Sequence, residues 1–253
     1  MRATVESIYR HPVKGLSPEH MTQAQLAAGE YFPGDRDYAI EVGPSGFDPE
    51  KPKHISKQRF TVLSRFPSLA RIRTRLDDAT GSFHFGDASG FGVEAKLSTE
   101  EGRASIELFL QAFLGEEAQG KLRVLESPRG YRFMDHPQGF VSVMNLASFR
   151  AVAQAIGVDV DPLRFRANIY VDGLKPWAED EWVAGQSLSV GEATLSVFKP
   201  IARCVATHVN LETGARDIDM VGMLREHFGR DTLGTYFSVT GSGRVSVGDE
   251  VSG

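Results

Sequence analysis

Polar and apolar positions in this chain alternate in short bursts far more often than they recur at helical spacing. DYAIEV sets Tyr38, Ile40 and Val42 against Ala39 and Glu41, the period of a half-buried strand. LARIRTRL places Ala70, Ile72, Thr74 and Leu76 on one face and Arg71, Arg73 and Arg75 on the other. SLSVGEATLSV predicts a hairpin with Gly191-Glu192 as its two-residue turn, and YFSVTGSGRVSVGDEV a second hairpin around 241–243. Three segments switch to the helical period. In STEEGRASIELFLQAFLG, Ser98 and Glu101 form a capping box, Ile106, Phe109, Leu110 and Phe113 a stripe, and Gly115 the stop. NLASFRAVAQAIG runs from an Asn145 cap to Gly157, and DMVGMLREHFG from an Asp219 cap to Gly229.

Strands dominate, and the helices are too few and too unevenly placed for a βαβ series. The expected fold class is mainly β: barrel-rich, with a few helices filling gaps. The loop SPRGYRFMDHPQGF is rich in Pro and Gly and sets the expected division into units 1–126 and 127–253. A net charge of −5 gives no global basic field, so nucleic acid is not expected as a partner. No apolar run approaches the roughly 20 residues of a membrane helix, and the N-terminus has no apolar signal core. One cysteine excludes an internal disulfide and a four-cysteine zinc or iron–sulfur site. The expectation is a reduced, cytoplasmic protein with no membrane partner.

That one cysteine, Cys204, lies in KPIARCVATHVN, read as a strand. Alternation after Pro200 puts Ala202, Cys204, Ala206 and His208 on one face and Arg203 on the other. Two alanines beside the sulfur leave room for something bulky. The pattern fits both a small buried hydrophobe and a thiolate kept for chemistry. In RFRANIYVDG, Arg164, Arg166 and Asn168 share a face with no acid between them, which suits an anion as well as solvent. HPVKGL holds Lys14 in a turn, and GDRDYAI puts Arg36 at a strand mouth between two aspartates, where a local ion pair competes with ligand binding.

Other motifs fail on chemistry. GEEAQGKL has P-loop spacing, but Leu122 stands where a magnesium-binding hydroxyl is needed and two glutamates would repel phosphate. There is no HExxH and no GxSxG, and the seven histidines are scattered. PWAEDEW reads as a solvated acidic loop braced by two tryptophans.

HPVKGL, GDRDYAI, RFRANIYVDGLKPWAEDEW, ARCVATHVNLETGARD and VGDEV occur in that order. Together they resemble the MOSC family, the domain type named for the C-terminal part of molybdenum cofactor sulfurases. The first two blocks are similar to its N-terminal β-barrel companion and the later ones to the MOSC domain itself. The resemblance is loosest over 47–66, which includes KHISKQRF. It implies a molybdenum cofactor (Mo-molybdopterin). Cys204 would be the metal ligand and catalytic residue, and Lys14, Arg36, Arg166 and Asn168 would bind the pterin and its phosphate. Arg203 and the helix start at Asn145 and Ser148 are further cofactor contacts on this reading.

The implied activity is that of a molybdenum-dependent oxidoreductase reducing N-hydroxylated small molecules by oxygen-atom transfer. These 253 residues hold one cysteine, too few for a cysteine-ligated cluster, and the last strand ends near Gly253. The expected partner is therefore an external electron donor, a ferredoxin- or flavoprotein-type reductase. Two alternatives remain: a sulfur carrier using a Cys204 persulfide, or a non-catalytic cofactor binding and storage protein.

Overall fold

The computed structural model describes residues 2–253. Its main body is a closed barrel of seven strands: β1 (Ala3–Arg10), β9 (Val141–Asn145), β10 (Ile169–Asp172), β11 (Ser187–Val190), β12 (Ala193–Ala202), β13 (Thr232–Gly241) and β15 (Glu250–Ser252). Around the barrel the order is β10-β9-β13-β12-β11-β15-β1, and β1 closes the ring by pairing antiparallel with β10. β2 (Glu19–Met21) hangs on β1 outside the ring. Among the described strands of the barrel only β9 and β10 run parallel, and the crossover between them contains the helix α2 (Leu146–Ile156). Alternate residues of each stave turn inward, so Ile8, Val143, Ile169, Leu195 and Phe237 fill the barrel. Each such buried side chain is worth about 1.5–3 kcal/mol of transfer free energy.

The remaining β structure is smaller. β4 (Tyr38–Val42) pairs with β8 (Leu122–Glu126), and β5 (Arg73–Asp77), β6 (Ser82–Gly86) and β7 (Gly92–Ala95) form a three-stranded sheet. Helix α1 (Glu100–Leu114) lays Ile106, Phe109 and Leu110 onto this second core. Val209 of the C-terminal half is buried in the same core. The sequence division at 126/127 falls in the loop between β8 and β9, but the packing crosses it, because β1 is a stave of the barrel. Among the described residues no helix is long and apolar enough to cross a membrane.

Local expectations fare according to how local they are. Val190 faces Ala193 across Gly191-Glu192, as the hairpin predicts. Asn145 caps α2 by accepting from the Ala147 amide, and Asp219 caps α3 (Met220–Phe228) from the Gly222 amide. The cap of α1 is Thr99, one residue later than expected, with its hydroxyl accepting from Gly102 N–H at 3.1 Å. The second hairpin does not form. β14 (Gly243–Ser246) leaves β13 and pairs with β3 (Gln23–Leu26), because the Val245 and Ala24 side chains are buried together in the barrel core.

Candidate functional site

A cavity of ≈ 280 Å³ opens where the barrel meets the second core. Cys204 stands on its wall. The strand carrying it ends sooner than alternation suggests: pairing slips at Val197/Lys199 and again at Pro200/Ala202, and β12 stops at Ala202. Cys204 is extended and begins a single 3₁₀ turn, Val205–His208, held by Thr207, whose amide and hydroxyl donate to the Cys204 carbonyl at 3.0 and 2.9 Å. Ala202 and Ala206 line the same cavity, so the small neighbours expected around the sulfur are there.

The basic residues arrive from four directions. Lys14 is 4 % exposed; its ammonium donates to the Phe133 carbonyl at 2.8 Å and to Asp135 at 2.5 Å. Burial pulls its pKa down, and Asp135 opposes that fall. Gly15 beside it has φ +84, and a Cβ there would meet the Thr61 carbonyl oxygen at 2.1 Å. Arg36 also sits at positive φ; it is ion-paired to the fully buried Asp35 and donates to the Arg166 carbonyl at 3.2 Å. The local pair anticipated for Arg36 therefore forms, while the residue still lines the cavity. Arg166, again at positive φ, donates one Nη1 bond to the Leu16 carbonyl at 2.6 Å, and its buried Nη2 has no partner among the described residues. Burial, with Arg36 nearby, pushes its pKa down to about 10, so it keeps its charge at neutral pH.

Two residues missed by sequence reasoning complete the group. Lys57 donates to the Cys204 sulfur and to Asp135, each at 3.2 Å. Burial alone would lower its pKa, but Asp135 and Cys204 outweigh it and raise it. Asp135 bridges Lys14 and Lys57. Burial would raise its pKa, but the two ammonium groups hold it far below the carboxylate range. A signal was present: Asp135 is the only acid in the loop from Ser127 to Phe140, which also holds Arg129 and Arg132.

Four expected contacts are spent elsewhere. Arg203 lines the cavity, but it donates to the Phe165 carbonyl at 2.8 Å and through Nε to the Leu233 carbonyl at 2.7 Å, acting as a strut. Asn168 is fully buried, accepting from the Ser142 amide and hydroxyl and donating to the Tyr9 carbonyl. The arginine–asparagine face does not exist, because residues 162–165 form a 3₁₀ turn and Arg166 reverses the chain. Arg164 instead pairs with Asp217 at 2.5 Å. Asn145 and Ser148 lie off the cavity, both donating to the Glu179 carboxylate, at 2.7 and 2.8 Å. Glu179 thus fills the helix N-terminus that an anion could have taken. The acidic loop read as solvated is pinned there, with Glu179 8 % exposed.

The donor set suits an anionic cofactor that brings its own metal ligands. Among the described residues seven lysines and arginines line the cavity, and Asp135 is the only carboxylate lining it. Among the described residues no cluster of three His, Cys, Asp or Glu could hold a metal. A soft metal here would have one protein sulfur and depend on the cofactor for the rest.

Residues 2–121 match the family model of the MOSC N-terminal beta barrel domain, and residues 130–252 that of the MOSC domain. A molybdenum cofactor sulfurase from Bos taurus is 30% identical over 94 residues, 35% of this chain but 10% of that protein. The chain therefore spans about a tenth of that relative's length. The crystal structure of the YUAD protein from Bacillus subtilis superposes over 99% of this chain and 94% of its own, with a TM-score of 0.50 at 14% identity, a likeness of fold. YiiM from Geobacillus stearothermophilus matches 46% of this chain and 54% of its own, with a TM-score of 0.36 and 20% identity. With the two family models running in succession along nearly its whole length, the chain belongs to the MOSC domain family.

Proposed function

We propose that the cavity holds a molybdenum cofactor and that the protein reduces N-hydroxylated compounds. One observation carries the reading: among the described residues a single cysteine sulfur faces a cavity lined by seven lysines and arginines and one carboxylate, with a buried Arg166 Nη2 that has no partner there. Cys204 would be the protein's ligand to the metal. Arg36, Arg166 and Lys14 would hold the phosphate and polar pterin edge, each charge-assisted hydrogen bond contributing about 1.5–3 kcal/mol. The bound group would supply two-electron oxygen-atom transfer, giving overall R–NH–OH + 2 H⁺ + 2 e⁻ → R–NH₂ + H₂O.

The chain's own residues have definable tasks. Lys57 fixes the Cys204 side chain by its bond to sulfur and places an ammonium proton at the cavity wall. Asp135 orients both Lys14 and Lys57. The Arg203 strut holds the Phe165 carbonyl, and with it the turn that presents Arg166.

Protein made in a host that synthesises the cofactor should contain about one molybdenum per chain, and Cys204→Ala should lose it. An aromatic amidoxime should be reduced by the loaded protein with a chemical reductant. Cyanide-labile sulfur without molybdenum would instead support sulfur carriage through a Cys204 persulfide. Bound molybdenum with no turnover would support storage.

A further inference from the structure

The chain carries a net charge of −5, yet from Lys51 to Leu76 it contains eight Lys or Arg and not one Asp or Glu. In the C-terminal part of this stretch two of the exposed arginines make side-chain contacts: Arg71 lies over the Phe113 ring, and Arg73 donates to the Leu211 carbonyl. The N-terminal part differs. Lys51, Lys53, His54 and Arg59 are exposed, and among the described residues none of them is ion-paired. Asp48 and Glu50 precede the stretch and mark its edge.

This basic segment is joined to the site. Its Lys57 reaches the Cys204 sulfur, and the Tyr131 hydroxyl donates to the Lys53 carbonyl at 3.1 Å, tying the segment to the loop that supplies Asp135. Exposed Lys199 lines the same cavity. Positive charge therefore frames the opening on two sides, and the one lining carboxylate, Asp135, is already bonded to two lysines.

We propose that the surface of residues 51–59, with Lys199, docks a small acidic electron-transfer protein of the ferredoxin or flavodoxin type. The inference rests on the oxidoreductase reading, which needs two electrons from outside. Two ferredoxins, each oxidised by one electron, or one flavodoxin hydroquinone would supply them, and the two protons would come from solvent. Docking here sets the donor over the wall that carries Cys204. Complementary charge steers the encounter and is screened by salt over a Debye length of roughly 8–10 Å. Nucleic acid and anionic membranes present negative charge too, but neither delivers electrons.

The test uses the full-length holoprotein and Lys53→Glu/Arg59→Glu, two exposed positions outside the cavity. The probe is a plant-type ferredoxin, with duplex DNA and phosphatidylserine vesicles as controls, at 50 to 300 mM salt. The expected result is salt-sensitive ferredoxin binding, weakened at least tenfold in the double variant at low salt with an unchanged melting temperature. Turnover driven by reduced methyl viologen, which needs no docking, should be equal in both proteins. Equal ferredoxin Kd values, wild-type binding indifferent to salt, or tighter binding of DNA or vesicles would overturn the docking surface. A variant whose methyl viologen turnover falls as much as its ferredoxin-driven turnover would overturn it as well. A wild-type holoprotein that fails to turn over with methyl viologen would overturn the oxidoreductase reading instead, and the binding measurements would still decide the surface.

Discussion

Asp35→Asn is the sharpest test of how the cationic wall is held. Asp35 is fully buried, accepts from the His11 amide at 2.6 Å and pairs with the Arg36 guanidinium. The amide oxygen of asparagine can keep the bond to His11 but cannot neutralise Arg36. Removing one partner of a buried pair costs about 3–5 kcal/mol. Arg36 keeps its bond to the Arg166 carbonyl, which places the expected loss near the lower end, about 3 kcal/mol. For a chain of this size each kcal/mol lowers the melting temperature by about 2–4 °C, so a fall of about 6–12 °C is expected. Urea denaturation followed by fluorescence and circular dichroism should show a lower midpoint at constant slope. The double variant Asp35→Asn/Arg36→Met should cost less than the two single changes together, with a coupling of about 2 kcal/mol. A single variant within about 1 kcal/mol of the parent, or strict additivity, would refute the argument. The acid limb adds a check. Burial would raise the Asp35 pKa, but Arg36 and the bonds from His11 and Arg36 outweigh it and hold it well below its ordinary value. The stabilisation is therefore complete above about pH 4 and lost as pH falls toward the native value, and the variant should lack that loss.

Four further outcomes follow from the site. Arg166→Met removes the unpartnered Nη2 and should weaken cofactor retention about 10- to 100-fold, read as molybdenum remaining after dialysis. Lys57→Met should lower kcat/KM by a similar factor of about 10–100, with partial rescue in Lys57→Arg. Gly15→Ala forces a Cβ to 2.1 Å from the Thr61 carbonyl at φ +84, and should destabilise the fold by more than about 2 kcal/mol in a urea titration. His11 is buried with its pKa lowered to about 3, by burial first and then by Arg36 and Arg166. Its unfolded form takes up a proton below about pH 6.5, so stability should fall by up to about 1.4 kcal/mol per pH unit between there and pH 4; His11→Phe should flatten that slope.

What could be read from the sequence was what short-range chemistry decides. The Asn145 and Asp219 caps and the Gly191-Glu192 turn depend on partners within a few residues. The second hairpin failed because β14 chooses β3, more than two hundred residues away, over its neighbour. Period-two reasoning failed at Arg164–Asn168, where a 3₁₀ turn precedes a strand that begins only at Ile169, and at Arg203–Cys204, where the strand has ended at Ala202 and a 3₁₀ turn follows. Lys14, Arg36, Arg166 and Cys204 are brought to one cavity, whereas Asn145, Ser148 and Asn168 are consumed by hydrogen bonds inside the barrel and its helix. Lys57 and Asp135 escaped notice because only tertiary packing sets Lys57 beside Cys204, 147 positions later, and Asp135 beside Lys14 and Lys57, 121 and 78 positions earlier.

The positions of the surviving residues share a physical logic. Lys14 follows β1 by four residues and Cys204 follows β12 by two, while Arg36 and Arg166 precede β4 and β10 by two and three. Strand interiors are mostly committed to pairing and packing, so these four side chains come from strand ends, whereas Lys199 reaches the cavity from within β12 beside a slip in its pairing. The backbone records what that placement demands. Only three non-glycine residues among those described have positive φ, and Arg36 and Arg166 are two of them. A left-handed conformation costs a side-chain-bearing residue about 1–2 kcal/mol, and it persists only where the surroundings enforce it. The enforcement is visible: the Arg36 amide donates to the His11 carbonyl, the Arg166 amide to the Leu163 carbonyl, and the Arg36 side chain to the Arg166 carbonyl. Glycine would relieve the strain at either position and remove the charge. Two arginines held where glycine is easiest is a local cost explained by a demand for cations at that wall, and it does not depend on which anion the wall receives.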